Sequence, residues 1–124
     1  MPLTLDDTAL LVVDVQGKLA EIMHERETLF ANLQRLIRGA QVLGLPIVCT
    51  EQYPEGLGPT RPEIASLMPE VEPIPKLHFS CWGEPRFVER LRALNRSQLL
   101  LAGIETHICV YQTARDLEIG RAHV

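Results

Sequence analysis

The sequence predicts a doubly wound α/β domain on a parallel sheet, and three observations carry that prediction. Thr8–Asp14 (TALLVVD) is a short, continuously apolar run ending in a carboxylate, the pattern of a strand buried on both faces. Leu29, Leu33, Leu36, Ile37, Ala40 and Leu43 then recur at three- and four-residue steps, the apolar stripe of a helix over about residues 25–43. A second apolar run, Ile47–Thr50, follows at once, and strand, helix, strand in that order favours a parallel pair with a right-handed crossover.

The remaining elements follow from local chemistry. Gly44 suits the position just past a helix end, and Pro46 cannot continue the helix. Glu51–Pro59 holds two prolines and two glycines and reads as loop. Thr60 and Glu63 have the spacing of a capping box, with Pro62 in the first turn, so a short helix is expected to about Met68. Pro69, Pro73 and Pro75 keep the chain extended, and Ile74–Leu77 is expected as a short third strand in spite of its prolines. Phe87, Val88, Leu91 and Leu94 mark a helix over about residues 84–95, and Gln98–Ala102 a fourth strand. Gly103–Glu105 is a tight turn, and Thr106 opens a helix carrying Cys109, Val110, Thr113, Ala114 and Leu117. Sheets of this kind bind ligands beyond the carboxyl ends of their strands. Asp14, Lys76 and Cys109 all fall at that end.

Composition excludes several classes. The 124 residues suffice for one domain, and 46% hydrophobic with 23% charged residues is ordinary for a globular chain. A net charge of −4 without a basic run argues against nucleic-acid binding. No apolar run reaches the roughly 18–20 residues of a membrane helix, and Met1–Asp7 lacks the basic start of a signal peptide. Three cysteines, 49, 81 and 109, form no C-x-x-C pair, which argues against a disulfide framework and for a cytoplasmic address.

Cys109 would sit near the start of a helix that follows a strand and a glycine turn, where free N–H groups favour a thiolate. A small buried core residue is the alternative reading. Asp14 is either a turn former or a site group, and Lys76 either a solvated cation or a partner that stabilises negative charge. Tyr53, Phe79 and Trp82 either line a pocket or cover the sheet. His107 is a poor base for Cys109, because residues two apart on a helix do not face each other. His24, His78, His107 and His123 lack ligand-like spacing and no phosphate-binding glycine loop occurs, so neither metal nor cofactor is expected.

Four stretches in order, Leu11–Gln16 (LVVDVQ), Thr50–Thr60 (TEQYPEGLGPT), Pro75–Ser80 (PKLHFS) and Ala102–Ala114 (AGIETHICVYQTA), resemble the isochorismatase-like cysteine hydrolases. The second resembles the branch called isochorismatase domain-containing proteins. The resemblance covers about residues 8–117 and implies catalytic roles for Asp14, Lys76 and Cys109. It further implies a cis peptide between Ile104 and Glu105, with the N–H groups of Glu105 and Cys109 as an oxyanion hole. Gln16, Glu51, Gln52, Tyr53, Phe79 and Trp82 are the expected substrate-pocket residues. The implied reaction is hydrolysis of an amide-type C–N bond of a small molecule through a thioester, with a non-catalytic binding or scaffold protein as the alternative. A third reading is a thiol redox protein pairing Cys109 with Cys49 or Cys81.

Two departures narrow the family reading. Nicotinamidases of this family carry an Asp-x-His metal motif after the second strand, where this chain has Glu51-Gln52-Tyr53. Isochorismatases proper lack the nucleophilic cysteine. The family fold is Rossmann-like with strand order 3-2-1-4-5-6, so this chain is expected to supply 3-2-1-4 within residues 1–117, without strands five and six. Residues 118–124 (EIGRAHV) match a reading frame of a widely used sequencing adapter, GAG ATC GGA AGA GCA CAC GTC before a TGA stop, and are expected to be a non-native tail. A homo-oligomer is expected of the full-length protein.

Overall fold

The computed structural model describes residues 2–17, 20, 22, 23, 25–104 and 109–119. In chain order these give β1 (Thr8–Val13), α1 (Arg26–Val42), β2 (Ile47–Gln52), α2 (Pro54–Leu57), α3 (Pro62–Ala65), β3 (Ile74–Lys76), α4 (Pro85–Leu94), β4 (Gln98–Gly103) and α5 (Tyr111–Ile119). All strand pairings are parallel and the sheet order is β3-β2-β1-β4, as the sequence predicts.

Every residue of β1 is buried, as its apolar run requires of a central strand. Alternation along it divides the core in two. Ala9, Leu11 and Val13 pack with Phe87 and Leu91 of α4 and Leu117 of α5. Leu10 and Val12 pack on the other face with Phe30, Leu33, Ile37 and Ala40 of α1 and Ile64 of α3. Helix α1 ends as expected: Gly44 lies at φ +73°, its N–H donates to the Gln41 carbonyl, and that of Leu45 to the Ala40 carbonyl. This is the Schellman pattern, which a glycine permits because no Cβ opposes the left-handed turn.

Three expectations are corrected. Strand β2 runs on through Glu51 and Gln52, because β3 supplies them a ladder: Glu51 pairs with Pro75 and Gln52 with Lys76. Within the expected loop, Pro54–Leu57 forms one helical turn. The capping box does not form. Arg61, not Thr60, precedes α3, no side chain caps it, and α3 ends at Ala65 rather than Met68. The Glu51 carboxylate takes both the main-chain N–H and the hydroxyl of Thr60, each at 2.7 Å, which holds the threonine on Glu51 instead of over the first N–H groups of the helix. Helix α5 runs through Ile119, and residues 120–124 of the expected tail lie outside the described residues.

Candidate active site

The carboxyl ends of β1, β2 and β3 bring four polar side chains into the α4–α5 layer of the core. Asp14 follows β1 directly, 2% exposed and at φ 54°, a left-handed conformation that a short polar residue tolerates better than a branched one. That turn leaves its main chain tied to β2, since its N–H donates to the Thr50 carbonyl at 3.2 Å. One carboxylate oxygen, Oδ1, accepts from the Thr50 hydroxyl at 2.9 Å, and Oδ2 lies 2.9 Å from Lys76 Nζ.

Lys76 closes β3, on the same side of the sheet as Ile74, and its ammonium end is fully buried. Apart from this ion pair, Nζ donates to Gln52 Oε1 at 2.7 Å and to the His78 and Phe79 carbonyls at 2.9 Å each. These neutral acceptors hold the amine in place, and Cys109 Sγ stands 3.8 Å from it. A cation this close to a thiol stabilises the thiolate relative to the neutral form. Cys109 is 2% exposed and belongs to a single π-helical turn ahead of α5, so it enters from the β4 side.

The structure thus brings Asp14, Lys76 and Cys109 together. Thr50, which the sequence reading passed over, joins them: it is wholly buried, and Cys81 Sγ approaches its hydroxyl at 3.7 Å. Cys81 in turn donates its N–H to Thr113 Oγ1 at 2.9 Å. Burial pushes the Cys81 thiol up, against the lowering effects of its Thr113 hydrogen bond and of Lys76.

The expected pocket residues divide. Gln52 reaches the cluster through Lys76. Gln16 does not. Its buried amide accepts from the Gln52 N–H at 2.6 Å and donates to the Gln52 and Gly58 carbonyls at 3.0 and 2.7 Å, so it extends the sheet where Asp14 breaks it. Gly17 alongside has no room for a side chain, because a Cβ there would lie 2.2 Å from the Leu57 carbonyl oxygen. Glu51 points to the α1–α3 layer, on the opposite side of β2 from Thr50, and is occupied by Thr60. Tyr53 and Phe79 are half or more exposed, whereas Trp82 packs against the α4–α5 core with the Arg92 guanidinium 5.8 Å from its ring centre. Glu105, and with it the Ile104–Glu105 peptide and one expected oxyanion donor, lies outside the described residues, as do Thr106, His107, His24 and His123.

All three cysteines are free thiols. Cys49 belongs to the α1–α3 layer and Cys109 to the other, so the sheet separates the pair that a redox role would join. Cys81 shares the layer of Cys109. Among the described residues, no three His, Cys, Asp or Glu side chains are grouped to hold a metal ion, and no helix is long and apolar enough to cross a membrane.

Comparison with known proteins agrees with the fold and the motif order. A model of the isochorismatase domain matches residues 8–119. Isochorismatase domain-containing protein 2 of Bos taurus is 39% identical over 111 residues, covering 87% of this chain and 51% of the relative. The chain spans about half the length of the curated relatives it matches. Among solved structures, the octameric YcaC hydrolase of unknown specificity from Escherichia coli superposes with a TM-score of 0.90 at 27% identity, over 97% of this chain and 61% of that one. YcaC from Pseudomonas aeruginosa, solved with hexane-2,5-diol and covalent acrylamide, gives 0.85 at 29% identity, over 96% and 61%. The domain match across nearly the whole chain, on a parallel sheet of the same order, places this chain in the isochorismatase family of hydrolase-fold proteins.

Proposed function

We propose that this chain carries the nucleophilic site of a cysteine hydrolase that cleaves an amide-type C–N bond in a small molecule. The observation that carries the reading is the position of Lys76 Nζ, 2.9 Å from Asp14 Oδ2 and 3.8 Å from Cys109 Sγ, in a cluster closed to solvent. A buried lysine has no solvation of its own, and here it faces one carboxylate and one thiol.

In the proposed reaction the Cys109 proton passes to Asp14, and Sγ attacks the carbonyl carbon to form a C–S bond. Negative charge develops on the carbonyl oxygen, for which the Cys109 and Glu105 N–H groups are the proposed donors. The C–N bond then breaks, and the leaving nitrogen takes the proton from Asp14. Water adds to the thioester, giving one proton to Asp14. The C–S bond breaks, the acid leaves, and the proton returns to the sulfur. Lys76 keeps the site neutral overall while the charge moves between Asp14 and Cys109. Tyr53 and Phe79, exposed beside the end of β3, are the proposed substrate contacts. Homo-oligomerisation of the whole protein and a cytoplasmic address belong to the same proposal. The first has support in the octameric relative.

The test uses acrylamide, the electrophile found covalently attached in the Pseudomonas aeruginosa relative. Alkylation of each cysteine is followed against pH by mass spectrometry. Cys49, Cys81 and Cys109 are 1%, 0% and 2% exposed, so accessibility alone does not separate them. Cys109 is expected to react first, with an apparent pKa below the free-thiol value of about 8.5. Equal reaction of all three near that value would remove Cys109 as nucleophile and leave a non-catalytic binding protein of the same fold.

A further inference from the structure

We propose that Thr50 is a positioning residue that orients the Asp14 carboxylate and stabilises its charge, through a one-way hydrogen-bond line from Cys81 to Thr50 to Asp14. This deepens the hydrolase reading and rests on it.

Thr50 holds Asp14 at two points. Its main-chain carbonyl accepts the Asp14 N–H at 3.2 Å, and its hydroxyl donates to Oδ1 at 2.9 Å. A hydroxyl has one proton to give and two lone pairs to receive with. At Thr50 the proton goes to Asp14, and a lone pair faces Cys81 Sγ at 3.7 Å. With the only Thr50 hydroxyl proton committed to Asp14, the Cys81 thiol meets the remaining lone pair by donating its S–H. The direction is therefore fixed: thiol to hydroxyl, hydroxyl to carboxylate. Thr50 is wholly buried, so no water replaces it if the hydroxyl is removed.

Two consequences follow for a carboxylate acting as base. With Oδ1 occupied by Thr50 and Oδ2 turned to Lys76, the carboxylate plane is fixed relative to Cys109. Each donated hydrogen bond also stabilises the negative charge that the carboxylate carries between proton transfers. The charged and titratable groups around it are Lys76 from β3, Cys81 from the turn at Cys81–Gly83, Cys109 ahead of α5, and Cys49 and Glu51 from β2. Of these only Lys76 is a cation. Thr50 is thus a second stabiliser of the Asp14 charge, beside Lys76.

The experiment is the pH profile of Cys109 alkylation by acrylamide in the wild type, Thr50→Val, Thr50→Ser and Asp14→Asn. Circular dichroism and thermal melting check that each variant is folded, and Thr50→Ala replaces Thr50→Val if the latter is not. Loss of the hydroxyl is expected to lower the midpoint by up to about one pH unit, in the direction of Asp14→Asn, because a carboxylate without that donor holds its negative charge less well and opposes the Cys109 thiolate less. Thr50→Ser keeps the donor and is expected to restore the wild-type midpoint. Asp14→Asn is expected to lower it, since the carboxylate charge opposing the thiolate is gone. If Asp14→Asn moves the midpoint but Thr50→Val and Thr50→Ala leave it in place, the role of Thr50 is overturned and the hydrolase site stands. If even Asp14→Asn leaves an ordinary thiol profile unchanged, the site itself is wrong and the role of Thr50 falls with it.

Discussion

Two carboxylates leave the same end of the sheet toward opposite faces, and their surroundings are alike in all but one respect. Asp14 is buried beside Thr50 and the thiols of Cys81 and Cys109. Glu51 is buried beside Thr60, whose hydroxyl stands 3.6 Å from the Cys49 thiol. Among the described residues Asp14 is paired with a cation, Lys76, and Glu51 with none. On the Glu51 side the result is an inert thiol: burial, reinforced by the charges of Glu51 and Asp14, pushes Cys49 up to about 11. A carboxylate next to a buried thiol therefore suppresses the thiolate. In the proposed reaction the lysine is what would turn the same ingredients into a nucleophilic site, because its charge offsets that of the carboxylate and leaves room for a second anion.

The largest expected effect comes from erasing that difference. Lys76→Met should make the Asp14 side resemble the Glu51 side. Breaking a buried ion pair by removing one partner costs about 3–5 kcal/mol, and less if Asp14 takes up a proton. Cys109 alkylation should shift upward in pH toward the behaviour of Cys49, and turnover should be lost. Denaturant unfolding and the per-cysteine alkylation profile measure the two parts separately. A Cys109 profile unmoved in Lys76→Met would mean that the lysine is only a structural pin. Asp14→Asn is the milder change: it keeps the shape, removes the base, and should cost about 10²–10⁴-fold in turnover while leaving ligand binding in place.

The two clusters also differ in how legible they are from the chain. Asp14, Lys76 and Cys109 were readable because each stands at the end of a recognisable element, where an α/β sheet presents its site. Strand β1 and helix α1 were equally plain, since an unbroken apolar run and a three–four periodicity have no competing readings at that length. The Glu51 cluster was misread for a physical reason. Thr60 and Glu63 satisfy a local rule for starting a helix, but Glu51 reaches across the loop and captures Thr60 first. A tertiary contact thus overrides a capping signal, and only β3 pairing, which carries β2 through Glu51, brings that carboxylate within reach. Thr50 was invisible for the opposite reason: a β-branched residue within a strand reads as ordinary strand filler, and its hydroxyl gains meaning only once Asp14 turns back on it. Gln16 was placed in the pocket by the family resemblance of its LVVDVQ stretch, yet its amide is used by the main chain of Gln52 and Gly58.

The Glu51 side can be broken without touching the other. Thr60→Val removes a hydroxyl that donates to the buried carboxylate at 2.7 Å, and the Thr60 N–H remains. The expected cost is about 1–3 kcal/mol of stability from the under-satisfied acceptor, read as a lower midpoint in urea. The Cys109 alkylation profile should stay where it is, because the sheet lies between the two clusters. A shift in that profile would show that the two faces are coupled through β2, and the contrast between them would have to be redrawn as a single network.

The smallest effect is a pH dependence confined to the alkaline side. Cys49 is raised from 9.0 to about 11 in the fold, first by burial and then by the charges of Glu51 and Asp14. Below pH 9 the thiol is neutral in both folded and unfolded chains, and its contribution to stability is fully present. As pH rises from 9 toward 11 the unfolded chain ionises while the folded one resists, and that contribution is lost. Two pKa units correspond to roughly 2–3 kcal/mol at most. Cys81, also raised by burial, adds a loss of the same sign. Cys49→Ala should therefore flatten the alkaline fall in stability only in part, against a pH-independent cost for the small cavity it leaves. If Lys76 offsets this penalty at Cys109, Cys109→Ala should leave the alkaline slope nearly as in the wild type. If Cys109→Ala flattened the slope as much as Cys49→Ala, the lysine would not be sparing its thiol, and the difference between the two faces would be one of position rather than charge.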